Sequence, residues 1–281
     1  MAAIHIAVAQ IHSRSGQIEA NLARMLPQIR SAAAVGADAI LFSETCVHSF
    51  ALVPVDIAAA EPANGAVCGR LTEWARKHGI VILAGFLERD GRAIYNSHVA
   101  AFPDGRRVVQ RKHAVTPIEL QAGLSGGPPE RTVLAIGGVR CALIICADSG
   151  STEIADDCRR QGVALRLAPT AGGGTRAEML TESELDSEDG RARYAEDRKK
   201  VFRAEAVHPP EPQWPTAFAS ANALGYDGAT DRGWHRGHCM IVDRHGIVRA
   251  QIPGTCVIEH QHDQMVHARL VFPGSVPGRV D

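Results

Sequence analysis

VRCALIICADSGSTEIADDCRRQGVALRLA, residues 139–168, holds three elements in a row. Val139 to Ile145 is apolar apart from Arg140 and short enough for a buried strand. A short helix is predicted from about Ser151 to Gln161, with Gly162 as its C-terminal stop, and Val163 to Ala168 returns to strand character. Upstream, Val133 to Ile136 is a further short strand that turns at Gly137-Gly138. This interleaving places the chain in the α/β class, with layers of helix on a mixed sheet system.

The same alternation runs back to the start of the chain. Ile4 to Ile11 alternates as a half-buried strand does. Ile18, Leu22, Leu26, Ile29 and Ala33 mark one helix face, which Pro27 weakens or kinks. Ala37 to Phe42 is a short buried strand that stops at Ser43-Glu44. Val67, Leu71, Trp74 and Ala75 give a second helix, ended by Gly79. Ile80 to Leu87 and Tyr95 to Phe102 read as strands, and Asp104-Gly105 turns into Arg106 to Arg111. Downstream the pattern thins. Three glycines (172–174) precede a charged stretch from Arg176 to Lys200, and Arg191 to Val207 fits a solvated helix. Pro209, Pro210, Pro212 and Pro215 force a non-helical link. Thr216 to Asn222, His238 to Asp243 and Ile247 to Ile252 are strands; the tail after that has no clear periodicity. No repeat or linker divides the chain, so one domain over 1–281 is expected, with its core at about 4–254 and a tail at 255–281.

Bulk numbers exclude several classes. With 45% hydrophobic and 22% charged residues, the chain has a globular composition. A formal net charge of −1 gives no general attraction for nucleic acid or anionic membrane. No apolar run reaches the length of a membrane span, and MAAIHIAVAQ lacks a basic and then apolar leader, so a cytoplasmic protein is expected. The seven cysteines are odd in number and scattered without a CxxC, unlike a disulfide framework.

Three residues stand where buried strands end. Glu44 follows Ala39-Ile40-Leu41-Phe42, Lys112 follows Val108-Val109-Gln110-Arg111, and Cys146 follows Ala142-Leu143-Ile144-Ile145. Strand ends hold reactive groups rigidly beside loops that admit a substrate. The trio is chemically coherent: a thiolate attacks, a carboxylate carries the thiol proton, and an ammonium steadies an oxyanion. Lys112 and the helix start near Ser151 are expected to favour the thiolate. Taken singly, each residue has a plainer reading, as a packed thiol or a solvated charge.

The surrounding motifs resemble the nitrilase superfamily of carbon–nitrogen hydrolases. They are Leu41-Phe42-Ser43-Glu44, Arg111-Lys112-His113, Thr116-Pro117-Ile118-Glu119 and Ile145-Cys146-Ala147-Asp148. Two later stretches, Ala219 to Gly228 and Gly237 to Asp243, are similar to the amidase and formamidase branch. The resemblance spans about Ile4 to Gly254 in order. It implies a four-layer α-β-β-α sandwich, a homodimer or larger homo-oligomer, and no cofactor. It also implies a Glu44–Lys112–Cys146 triad that hydrolyses an amide through a thioester, with Glu119 holding Lys112 and the substrate. A nitrilase, an N-carbamoyl amidohydrolase and a catalytically silent binding relative are the alternatives; the chain lacks the Trp-Glu that commonly follows the nucleophile in nitrilases.

The chain departs from the family's pattern beside the pocket. Ala147 stands where a bulkier or polar residue is usual, and its N–H is expected to help hold the oxyanion. Thr170 to Arg176 is expected to form the pocket wall, left open by its glycines. Arg176 is weighed as a carboxylate clamp against the plainer reading that it opens the charged surface. Other signals are discounted. His235, His238 and Cys239 lack a completing ligand pair, so no metal is assigned. His260, His262 and His267 fit a solvated tail or an interface. Gly172 to Gly174 lacks the GK[ST] of a phosphate loop.

Overall fold

The computed structural model describes residues 1–206 and 216–272, the side chains of 202–206 excepted. The proline-rich link at 209–215 lies outside them.

Two sheets form the centre. In the first, strands run in the order Gln264–Phe272, Ala2–Gln10, Ala39–Leu41, Val81–Asp90, Ala93–Ala101 and Arg107–Arg111, with Leu124–Ser125 beside Ala93–Ala101. In the second the order is Val248–Ile252, Cys239–Val242, Ala217–Asn222, Leu165–Thr170, Val139–Leu143 and Leu134–Ile136. The inner strands are parallel in both: Ala2–Gln10, Ala39–Leu41 and Val81–Asp90 in one, Val139–Leu143, Leu165–Thr170 and Ala217–Asn222 in the other.

Side-chain alternation explains the layering. Ile4, Ile6, Val8, Leu41 and Leu83 face inward and meet Cys141, Leu143, Leu165, Leu167 and Ile241 of the opposite sheet. Their neighbours Ala7, Ala9, Ile40, Phe42 and Ile82 face outward beneath helices Ile18–Ala34 and Ala66–His78. On the far side, Ala142 and Ile144 pack under helix Thr152–Arg160 through Ile154 and Cys158. The result is the α-β-β-α order expected. Strand period two thus feeds two separate apolar contacts from one run of residues. Cutting a wholly buried leucine such as Leu41 to alanine would cost about 2–5 kcal/mol.

Pro27 lies inside helix Ile18–Ala34 without ending it. Ser151 caps helix Thr152–Arg160 by accepting the Ile154 N–H, and Gly162 takes the left-handed conformation at φ +63°. The charged stretch forms helix Glu188–Ala206, whose Asp197 takes ion pairs from Arg198 and Arg236. The stretch read as a tail without periodicity holds the strand Gln264–Phe272, antiparallel to Ala2–Gln10 from Ala2↔Phe272 to Gln10↔Gln264. It completes the first sheet, so the core extends well past Gly254. No helix among the described residues is long and apolar enough to cross a membrane.

Candidate active site

Glu44, Lys112 and Cys146 come together at one end of the sandwich, at the carboxyl ends of the parallel strands. The backbone joins the sheets there. Glu44 N–H donates to the Thr170 carbonyl at 3.3 Å, linking the loop after Ala39–Leu41 to the end of Leu165–Thr170.

Lys112 is buried, and its Nζ donates to Glu44 Oε1 and Glu119 Oε2, each at 2.8 Å. Asn96 Nδ2 donates to the same Glu44 Oε1 and to the other Glu119 oxygen, Oε1, each at 2.7 Å. Glu119 owes its place to local sequence. Pro117 starts helix Pro117–Gln121, and Glu119 at its third position reaches back to the Thr116 N–H and hydroxyl, at 2.8 and 2.7 Å.

These two carboxylates share one ammonium but titrate apart. Burial dominates at Glu44 and lifts it above the usual carboxylate range, against the pull of Lys112. Burial also opposes the charged form of Glu119, but Lys112 and the hydrogen bonds from Lys112, Thr116 and Asn96 outweigh it and hold this carboxyl low. Burial disfavours the Lys112 ammonium as well; Glu44 and Glu119 more than compensate, and its pKa is raised. Carboxylates driven apart in this way take different roles, one mobile in its proton and one fixed as an anion. Glu44 keeps its second oxygen, Oε2, buried and without a hydrogen-bond donor among the described residues.

Cys146 is half-buried, whereas the other six cysteines are fully buried. Its backbone sits at φ +50°, a left-handed value that a non-glycine residue adopts only when its surroundings hold it. Asp148 provides that hold. Its Oδ1 accepts the N–H groups of His113 and Ala114 at 3.0 and 2.8 Å; its Oδ2 accepts Ile145 N–H and Arg131 Nη1, each at 3.2 Å. One carboxylate therefore ties the residues after Lys112 to the residue before Cys146, across the two sheets.

Burial, then the charge of Glu44, pushes the Cys146 thiol up to about 12, with Lys112 and the Ala171 N–H acting in the opposite sense. This corrects the expectation of a favoured thiolate. The helix Thr152–Arg160 starts six residues past the sulfur, behind the 3-10 turn Cys146–Gly150, and the lysine's charge is already shared by two carboxylates. The proton rests on sulfur, and Glu44 is the nearest base positioned to take it.

The remaining candidates divide. Ala147 follows Cys146 in the 3-10 turn Cys146–Gly150. Thr170 contributes its carbonyl to Glu44, while its hydroxyl is turned to Asn222 Oδ1 at 3.1 Å. Arg176 is not brought to the cluster. It donates to the Met179 carbonyl, lies 3.9 Å from Glu184 and stands over the Trp234 ring, as the opening of a charged surface does. His235 is buried against the Gly172 carbonyl and Cys239 packs between the sheets. Among the described residues no three His, Cys, Asp or Glu side chains converge as metal ligands do. Asn96 and Arg131 were not singled out from the sequence. Arg131 carried no signal beyond its charge, and Asn96 only that of a polar residue inside an apolar strand.

Comparison with known proteins agrees with this architecture. The family model described as carbon-nitrogen hydrolase matches residues 5–256. An (R)-stereoselective amidase of Pseudomonas sp. is 32% identical over 143 residues, 51% of either chain. An aliphatic nitrilase of Sinorhizobium fredii (strain HH103) is 27% identical over 190 residues, 61% of either chain. The matches thus span about half to three-fifths of the length of these curated relatives. A solved structure of an amidase from Nesterenkonia sp. AN1, with acrylamide added at the active site cysteine, shares the fold: TM-score 0.69 and 20% identity, over 96% of this chain and 93% of that one. With the family model covering most of its length, the chain belongs to the carbon–nitrogen hydrolase family of the nitrilase superfamily.

Proposed function

We propose that this protein is an amidase that hydrolyses a non-peptide amide to a carboxylic acid and ammonia through a thioester on Cys146. The observation that carries this reading is the buried Lys112 bridging Glu44 and Glu119 beside a strained, half-buried cysteine. In this mechanism Glu44 Oε2 takes the Sγ proton as sulfur attacks the carbonyl carbon, so no free thiolate accumulates. The carbonyl oxygen becomes an oxyanion, met by Lys112 Nζ and the Ala147 N–H. Glu44 returns the proton to the departing nitrogen, then deprotonates the water that attacks the thioester carbon and passes that proton to the Cys146 sulfur as the carbon–sulfur bond breaks. Glu119 stays ionised and keeps Lys112 charged and in place.

The test is ammonia release over amides, nitriles and N-carbamoyl compounds, with wild type and variants. Amides should be the substrates, and Cys146→Ala should abolish turnover while Cys141→Ala retains it. Glu44→Gln and Lys112→Ala should each lower kcat by roughly 10²-fold or more. Full activity in Cys146→Ala would overturn the mechanism, and preferential release from nitriles would overturn the substrate class.

A further inference from the structure

Away from the active site, a cavity of 630 Å³ opens at the edge of the second sheet. Arg106, Arg131 and Arg140 line it together with Thr132, Val133, Ala135 and Gln161, and among the described residues no carboxylate does. For a chain of net charge −1 this is a local excess of positive charge.

The three arginines are held differently. The Arg131 guanidinium is turned inward, donating to Asp148 and to the carbonyls of Pro128, Pro129 and Arg111. Its charge is met there, and it forms the floor. Arg140 uses only Nε, which donates to the Gln161 carbonyl at 2.8 Å; among the described residues its two terminal nitrogens have no acceptor. Arg106 lies over the Phe102 ring, 3.7 Å from its centroid, and its nearest carboxylate, Asp104, is 3.9 Å away. Stacking on a ring fixes the plane of a guanidinium and leaves its N–H edge free to donate. Besides Asp148 on Arg131 and Asp104 beside Arg106, Asp157 lies behind the wall and is taken up by Arg131 N–H, Gln161 and Arg160.

We propose that this cavity binds a small organic oxyanion, a carboxylate or phosphate gripped by Arg140 and Arg106 with an apolar body against Val133 and Ala135. Guanidinium groups with unspent, oriented N–H edges match the two oxygens of such a group. The apolar wall distinguishes this ligand from a bare inorganic ion.

Titration calorimetry of the whole protein at low ionic strength tests this, using benzoate, phenyl phosphate and inorganic phosphate as probes. Benzoate or phenyl phosphate should bind saturably at one site, several-fold more tightly than inorganic phosphate; which of the two binds better separates a carboxylate from a phosphate ligand. The double variant Arg106→Gln/Arg140→Gln should weaken that binding at least tenfold. Thr132→Glu, which sets a carboxylate at an exposed position of the mouth, should do the same without removing either arginine. Absence of saturable binding for all three probes would overturn the proposal. So would affinities that neither variant changes, which would place the probe elsewhere, the active site included.

Discussion

Asn96 stands between two carboxylates that must behave differently, and its amide reaches both at 2.7 Å. By donating to each, it favours their ionised forms. Replacing it with leucine removes that donor from Glu44, whose proton affinity is already raised by burial. The sign follows: Glu44 would hold its proton to higher pH, and a base is useful only when empty. Asn96→Leu should therefore move the acidic limb of the kcat/KM profile to higher pH and lower kcat at neutral pH by roughly tenfold. An unmoved limb with only a raised KM would make Asn96 a substrate contact. The convergence of Glu44, Lys112 and Cys146 was legible in the sequence because each stands where a strand ends, inside a motif that resembles the family's. Asn96 was not, because it lies inside the strand Ala93–Ala101, where a polar residue is indistinguishable from the solvent side of an alternating pattern. The thiol's protonation was misjudged for a similar reason. Neighbouring charges can be read from a sequence, but the depth at which they are buried cannot.

Between elements, the placement of Glu44 depends on Gly85 in the strand Val81–Asp90. A Cβ at Gly85 would fall 2.2 Å from Thr45 N and 2.9 Å from the Glu44 carbonyl carbon, so the loop that carries Glu44 lies directly on this residue. The neighbours it would strike are backbone, which cannot swing aside. Gly85→Ala should displace Glu44 relative to Lys112 and reduce kcat by roughly tenfold to 10²-fold, as small misplacements of reacting groups do. Steady-state kinetics beside a thermal melt checks this; wild-type kcat would mean that the loop shifts without loss. Most helices were legible because each has one solvent face and one apolar face, and the inner strands because, covered on both faces, they read as short continuous apolar runs. Gln264–Phe272 was not. Val266, Ala268, Leu270 and Phe272 turn to the inter-sheet core, but Met265 and Val271 put apolar side chains on the other face and blur the alternation. Arg176 opens the charged surface, the plainer of its two readings, and the partners that hold it there, Met179 and Glu184, follow it closely in the sequence.

For the molecule as a whole, two buried histidines that the chemistry does not use set a limit in acid. Burial pushes His98 down to about 3 and His48 down to about 4. His48 is further committed to neutrality, since its Nδ1 accepts the Leu87 N–H at 3.2 Å. In the unfolded chain both have a pKa near 6.5. The unfolded state therefore binds protons below about pH 6.5 that the fold refuses. This stabilising contribution is complete above that pH and is lost as pH falls toward 4. At pH 5 the loss is about 2 kcal/mol for each histidine. Urea unfolding between pH 7 and 5 should show stability falling with pH. His98→Gln should flatten that dependence by up to about 1.4 kcal/mol per pH unit, whatever its effect at pH 7. A slope unchanged by the substitution would show that His98 takes up its proton inside the fold.

The pairing of Ala2–Gln10 with Gln264–Phe272 also sets the timing of biosynthesis. Once made, Ala2–Gln10 finds one neighbour, Ala39–Leu41, almost at once, but the partner for its other edge, Gln264–Phe272, is made much later. At about 5–20 residues per second that edge waits roughly ten to fifty seconds, carrying Ile4, Ile6 and Val8. An unpaired edge of this kind is the part of a nascent chain that adheres to its neighbours. A ribosome that stalls before Gln264 would hold a chain whose first sheet is still open at the Ala2–Gln10 edge. Such arrested chains should be found with chaperone holdases or in aggregates, and released chains that reach Phe272 should not.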